Sequence, residues 1–98
     1  MDISIKKDLA SNWFKLLQNA ICDDILKIEK NKVNFESTSW KRSNTKDEGG
    51  GEYRILKNGK IFEKVGVNFS KVYGKFPKQF QKNIPGTSKN PKFWASGI

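Results

Sequence analysis

Histidine is absent from these 98 residues, and cysteine occurs once, at Cys22. Without histidine, general acid–base work falls to aspartate and glutamate. Without a second cysteine there is no internal disulfide and no thiol relay, and the usual zinc and iron ligand sets cannot be assembled. An autonomous active site is therefore not expected. Long apolar runs are missing too: no stretch of 18 apolar residues exists, and the opening Met-Asp-Ile-Ser-Ile-Lys-Lys has no apolar core followed by a small-residue cleavage site. Neither membrane insertion nor secretion is indicated, and a reducing, cytoplasmic location is expected. Arginine is scarce, since only Arg42 and Arg54 stand among 19 basic residues. Readers of bases and phosphates lean on the arginine fork, so lysine here reads mainly as solubilising.

What is present points to one small folded unit. A hydrophobic fraction of 36% is low for a self-sufficient domain, but three Trp, two Tyr and seven Phe are too many aromatics for a disordered chain. A thin core follows. The net charge of +9 is unevenly spread: residues 1–52 carry nine basic and nine acidic side chains, whereas residues 53–98 carry ten basic side chains against Glu63 alone. A basic second half admits an anionic partner.

From Ile3 to Glu29, Leu9, Trp13, Leu16, Leu17, Ala20, Ile21, Ile25 and Ile28 recur at three- and four-residue steps and define one face of an amphipathic helix. Asn31 is its predicted stop, with Lys27 and Lys30 placed favourably against the helix dipole. Asp24 falls within the apolar arc, so it either pairs with a base or the face is wet there. Val33 to Arg42, with Phe35 and Trp40, reads as a strand. Residues 43–52 are polar and glycine-rich and read as a flexible connection between strands. Tyr53–Leu56, Asn58-Gly59 and Ile61–Val65 form a predicted hairpin with a type I′ turn. Residues 66–76 extend its second arm, with a bulge or bend expected at Gly66 and Gly74. Pro77 to Pro91 is surface with one helical turn at Lys78–Gln81, and Phe93–Ile98 reads as the entry to a further strand.

Few motifs suggest chemistry. Gly49-Gly50-Gly51 is followed by Glu-Tyr-Arg, without the Gly-Lys-Ser/Thr or the helix that a phosphate cradle needs. Asn68-Phe69-Ser70 matches a glycosylation acceptor, which has no consequence without secretion. Trp40, Tyr53, Phe62, Phe69 and Tyr73 among lysines could be stacking platforms for single-stranded nucleic acid; the competing reading makes them core aromatics beside solvated lysines, so nucleic acid is not the expected partner. Cys22 reads as an inert structural thiol.

Ile61-Phe62-Glu63-Lys64-Val65-Gly66-Val67-Asn68-Phe69-Ser70 resembles the Val-Phe-Glu-Lys-Ala-Gly-Val-Asn-(Phe/Ile)-Ser signature of oxygen-dependent coproporphyrinogen-III oxidases. Trp13-Phe14, Ile21-Cys22, Phe35, Trp40, the glycine run and Asn58-Gly59 agree in order. Phe93–Ile98 is similar to that family's Phe-x-Ala-x-Gly-(Ile/Val) segment, so the resemblance covers nearly the whole chain. Val65 in place of Ala and a lysine-rich stretch after Gly74 are the departures. The resemblance implies an α+β fold, an N-terminal helix packed on part of a large antiparallel sheet, with residues 1–98 the N-terminal portion of one domain. It implies an enzyme that oxidatively decarboxylates two propionates of coproporphyrinogen III to vinyls, giving protoporphyrinogen IX, with dioxygen as co-substrate and no flavin, haem or metal cofactor. The family's catalytic histidine, its substrate-binding serine and the asparagine and arginine that hold propionates belong beyond Phe-x-Ala-x-Gly-Ile. No catalytic, cofactor-binding or metal residue is therefore assigned within 1–98, and the chain alone is expected to be inactive. Residues Ile61 to Ser70 correspond to the region associated with homodimer formation. Their apolar alternation offers area and a hydrogen-bonding edge, while an ordinary internal strand remains the competing reading of the same residues.

Overall fold

The structure, a computed structural model, describes residues 1–30 and 32–98. Helix α1 spans Ile3–Glu29. Asp2 caps its start: the carboxylate accepts from Ser4 N at 3.4 Å and from Ser4 Oγ at 2.9 Å, satisfying one of the orphan donors of the first turn. At the other end Lys30 adopts a left-handed conformation (φ 54°) and its N–H donates to Leu26 O at 3.1 Å. Lys27 stands in the last turn, while the expected stop at Asn31 lies outside the described residues.

Four antiparallel strands follow in simple meander order: β1 (Glu36–Lys41), β2 (Gly49–Lys57), β3 (Lys64–Lys75) and β4 (Lys92–Gly97). Short helix α2 (Lys78–Gln81) lies in the connection between β3 and β4, as the sequence suggests. The architecture is thus α+β, one helix on one antiparallel sheet. β1 is shorter than Val33–Arg42 because Val33 to Phe35 remain outside the ladder. The glycine run belongs to β2 rather than to the connection, which shrinks to residues 42–48. That connection is fixed by side chains: Arg42 pairs with Glu48 at 3.2 Å and donates to Tyr73 O at 3.1 Å, and the Tyr73 hydroxyl donates to Asp47. The bulge expected along β3 does not occur. Gly66 pairs with Ile55 and Gly74 with Phe93 in unbroken register.

The helix is rotated relative to the expected arc. Ser11, Gln18, Cys22 and Glu29 are its buried residues, whereas Leu9, Trp13, Leu16 and Ile28 are each more than half exposed. Only one margin of the arc, Leu17, Ile21 and Ile25, is partly covered. Asp24 is exposed, so it bears no burial cost. The physical cause is polar: Gln18 Nε2 donates to both Glu52 O and Val67 O, each at 3.0 Å, so it ties β2 to β3 from above. Ser11 satisfies itself on Lys7 O at 2.9 Å. A sheet face that offers carbonyls and Arg54 selects polar helix residues, because an unsatisfied buried acceptor costs more than a half-exposed leucine. The apolar core is correspondingly small: Leu56, Cys22, Val67 and Phe69.

Candidate functional site

The hairpin that opens the candidate arm is built around a carboxylate. Asn58 N donates to Glu63 O at 2.9 Å and Gly59 N to Phe62 O at 3.0 Å, which places Lys60 and Ile61 at the tip. The predicted type I′ turn at Asn58-Gly59 is therefore shifted by two residues. Asn58 does take a positive φ of 61°, but Gly59 does not. Glycine is required at 59 for space: a Cβ there would lie 2.6 Å from Glu29 Cδ, Glu29 Oε2 and Phe62 O. Glu29, the last residue of α1 and only 3% exposed, reaches into the tip. Its Oε1 accepts from Lys60 N and from Ile61 N (3.0 Å), and its Oε2 accepts from Phe62 N (3.0 Å). Three consecutive N–H groups on one carboxylate form a backbone nest, a strong arrangement because the acceptor is charged. Glu29 was not singled out from the sequence. The available signal was an acid in the last helical position, where the dipole disfavours it.

Along the arm the ten residues divide by face. Ile61 is exposed at the tip and Phe62 half-buried; Glu63 and Lys64 face water. Val65 lies opposite the buried Leu56. Val67 and Phe69 are buried core residues, so they belong to the packing against α1. Gly66 and Asn68 are exposed and Ser70 is half-buried. β2 pairs with β3 from Lys64 to Val72, but β4 takes the other edge only from Ser70 to Lys75. Among the described residues, Lys64 to Phe69 thus keep one free edge.

Other polar groups away from the arm are structural or line a cavity. Arg54 is held by Glu52 (2.9 Å) and by Asn19 Oδ1 (2.6 Å). Burial pushes the Cys22 thiol up, with Arg54 opposing the shift, consistent with an inert thiol. A Cβ at Gly49, Gly50 or Gly51 would stand about 2 Å from a carbonyl oxygen of a neighbouring strand. The triple glycine therefore admits close strand approach and lets the Trp40 ring lie against Gly51, which closes the phosphate-cradle reading. Beside it a cavity of about 800 Å³ is bounded by α1, by the sheet and by residues 43–47. The aromatic platform proposed for nucleic acid is not one surface: Tyr53 pairs with Asn68 while Phe69 pairs with Glu52, which puts the two rings on opposite faces of the sheet.

Fold and arm define a class first: a helix on a four-stranded antiparallel meander whose third strand carries the signature-like segment. Residues 10–98 match the family model for coproporphyrinogen III oxidase, and the chain belongs to that family. Similar curated relatives are the oxygen-dependent coproporphyrinogen-III oxidases of Rickettsia felis, Rickettsia akari and one strain of Rickettsia bellii. They are 41%, 40% and 39% identical over 100 residues, which is 94% of this chain and 34% of each relative. The chain spans about a third of the length of the curated relatives it matches. The nucleic-acid reading finds no support in these matches. No helix among the described residues is long and apolar enough to cross a membrane.

Proposed function

We propose that this chain is the N-terminal, assembly-forming part of an oxygen-dependent coproporphyrinogen-III oxidase, and that Ile61–Ser70 contributes to a homodimer contact. The observation that carries this reading is the family match over residues 10–98, which includes the whole arm. In this reading the complete enzyme converts two propionates of coproporphyrinogen III to vinyls, consumes dioxygen, gives protoporphyrinogen IX, needs no flavin, haem or metal, and works in the cytoplasm. The role of residues 1–98 is to build the helix-on-sheet base. Val67 and Phe69 serve the interior of that base, and Gly66, Asn68 and the free edge from Lys64 to Phe69 serve contact with a second copy. The surface supports association: the accessible area is 7564 Å², against about 5,700 Å² expected for a compact protein of this mass.

Sedimentation velocity tests the assembly role. A dimer is expected, and the pair Gly66→Arg and Asn68→Arg is expected to shift it to monomer. A Cβ at Gly66 meets only ordinary contacts, 3.7 Å or more, so this variant should stay folded. A monomer at every concentration for the unaltered chain would remove the assembly role.

A further inference from the structure

We propose that one end of the molecule, where the first turns of α1 meet the β3–β4 connection, docks on an anionic lipid surface. Positive charge is gathered there. Residues 64–98 hold seven lysines and no acid, and five of the seven lie from Lys75 to Lys92, in the stretch where the chain departs from the family signature. Lys6 and Lys7 of α1 join Lys75 at the end of β3 and Lys92 at the start of β4 around one cavity of about 900 Å³. Lys75 and Lys92 stand directly opposite each other in the ladder. Like charges so placed weaken the strand pair, and an external anion relieves them.

No acid offsets these lysines. The ion pairs among the described residues are Arg42–Glu48 and Arg54–Glu52. Asp2 is turned onto Ser4 as the helix cap, and by helical spacing Asp8 falls on the flank of α1 away from Ile3, Lys6 and Ala10, which line the cavity. At the other end of α1 the lysines Lys27, Lys57 and Lys60 are interspersed with Asp23, Asp24 and Glu63. The two ends of the molecule therefore differ in their surface potential.

Apolar side chains stand among the unpaired lysines. Met1 is 79% exposed, Ile3 62% and Phe80 50%. Trp94 lines the cavity, with Lys7 Nζ 5.7 Å from its ring centre. The connection that carries Lys78, Phe80, Lys82 and Lys89 is held in shape before any partner arrives. Gln81 Nε2 donates to Phe76 O at 3.0 Å, Thr87 Oγ1 donates to Ile84 O at 2.8 Å, and the Phe76 and Phe93 rings lie 4.8 Å apart. Lysines beside exposed apolar side chains meet the two demands of a bilayer surface, charge for the headgroups and area for the acyl boundary. A free phosphate would give Ile3 and Phe80 nothing to contact. Nucleic acid favours the arginine fork, and no arginine follows Arg54.

Co-sedimentation with sucrose-loaded vesicles tests the docking end. The unaltered chain is expected to bind vesicles of phosphatidylcholine containing about a third phosphatidylglycerol, to ignore pure phosphatidylcholine, and to be released at about 0.5 M salt. Lys6→Gln with Lys75→Gln and Lys92→Gln is expected to weaken binding about a hundredfold, the scale of three lysines near an anionic surface. Lys27→Gln with Lys32→Gln and Lys57→Gln removes the same charge about 30 Å away, beyond the Debye length, and is expected to weaken it by less than about threefold. Ile3→Ser with Phe80→Ser leaves the charge intact and is expected to weaken it about tenfold. Circular dichroism verifies that every variant is folded. No binding by the unaltered chain, or equal loss in the two lysine variants, overturns the docking end. Unchanged binding by Ile3→Ser with Phe80→Ser overturns the lipid assignment, as does binding of an oligonucleotide more tightly than the vesicles at the same lysines. The assembly role keeps its own test, because Ile61–Ser70 contributes none of these side chains.

Discussion

Glu29 occupies the helix end at which a carboxylate is least welcome to the dipole, and it is buried there because three N–H groups of the Lys60–Phe62 tip converge on it. Glu29→Gln keeps the shape but exchanges one acceptor oxygen for a donor and removes the charge. It is expected to lower stability by about 2 kcal/mol, the scale of hydrogen bonds to a charged group, as read from urea denaturation. Gly59→Ala, which drives a methyl into the same carboxylate, is expected to cost about 1–3 kcal/mol by overpacking; a neutral result for both would show that the tip is not anchored through Glu29. Cys22 gives a second prediction at this scale. Burial raises its folded pKa above the ordinary 9.0, so the unfolded chain loses the thiol proton first as pH rises. Its contribution to stability is therefore intact below about pH 9 and is lost progressively above it. Stability measured from pH 7 to 10 should fall less in Cys22→Ala than in the unaltered chain, and a thiol reagent should label native Cys22 far more slowly than the urea-unfolded form.

The elements of this chain obey their sequence signals in kind and depart from them in placement. The 27-residue helix is where its three- and four-residue spacing puts it, but spacing ranks residues only by hydropathy. The sheet beneath also demands hydrogen-bond donors, and Gln18 wins the central position by bridging two strands. Gln18→Ala is expected to destabilise by about 1–3 kcal/mol by stripping Glu52 O and Val67 O of that donor. Leu9→Ser and Leu16→Ser, on the exposed side, are expected to change stability by no more than about 0.5 kcal/mol; a larger loss from Leu9→Ser than from Gln18→Ala in thermal denaturation would return the apolar arc to the interior. The hairpin shows the same division. Its two strands are legible from Tyr53–Leu56 and Ile61–Val65, but Ile61 to Glu63 lie outside β3, and the turn sits at Lys60-Ile61 because a residue about 30 positions earlier in the chain holds it there.

For the whole molecule the dominant fact is thinness. The radius of gyration is 17.2 Å and the extents are 52 × 31 × 25 Å, against about 13 Å expected for a compact chain of this length. One layer of helix covers one face of one sheet, and Leu9, Trp13 and Leu16 remain largely exposed on the outside of that helix. A slab of this kind gains little from its own core, so its stability should depend on association. Thermal unfolding is expected to move to higher temperature as protein concentration rises, and a midpoint independent of concentration would contradict this. Turnover belongs to the same scale. Incubated with coproporphyrinogen III and air, the chain by itself is expected to give no protoporphyrin above the non-enzymatic rate, as it has no histidine to serve as general base.

By itself, the amino-acid order determined the element types, the α+β class, the small core and the family, since these depend on local periodicity, turn residues and a ten-residue segment that does not need to be folded to be read. Tertiary structure alone decided which side of α1 meets the sheet, why Gly59 and Gly49–Gly51 are glycines, where the free edge of β3 lies and which lysines share a cavity. Each of these depends on groups distant in the chain competing for the same space or the same hydrogen bond. The carboxylate of Glu29 and the amide of Gln18 settled that competition once the strands were in register.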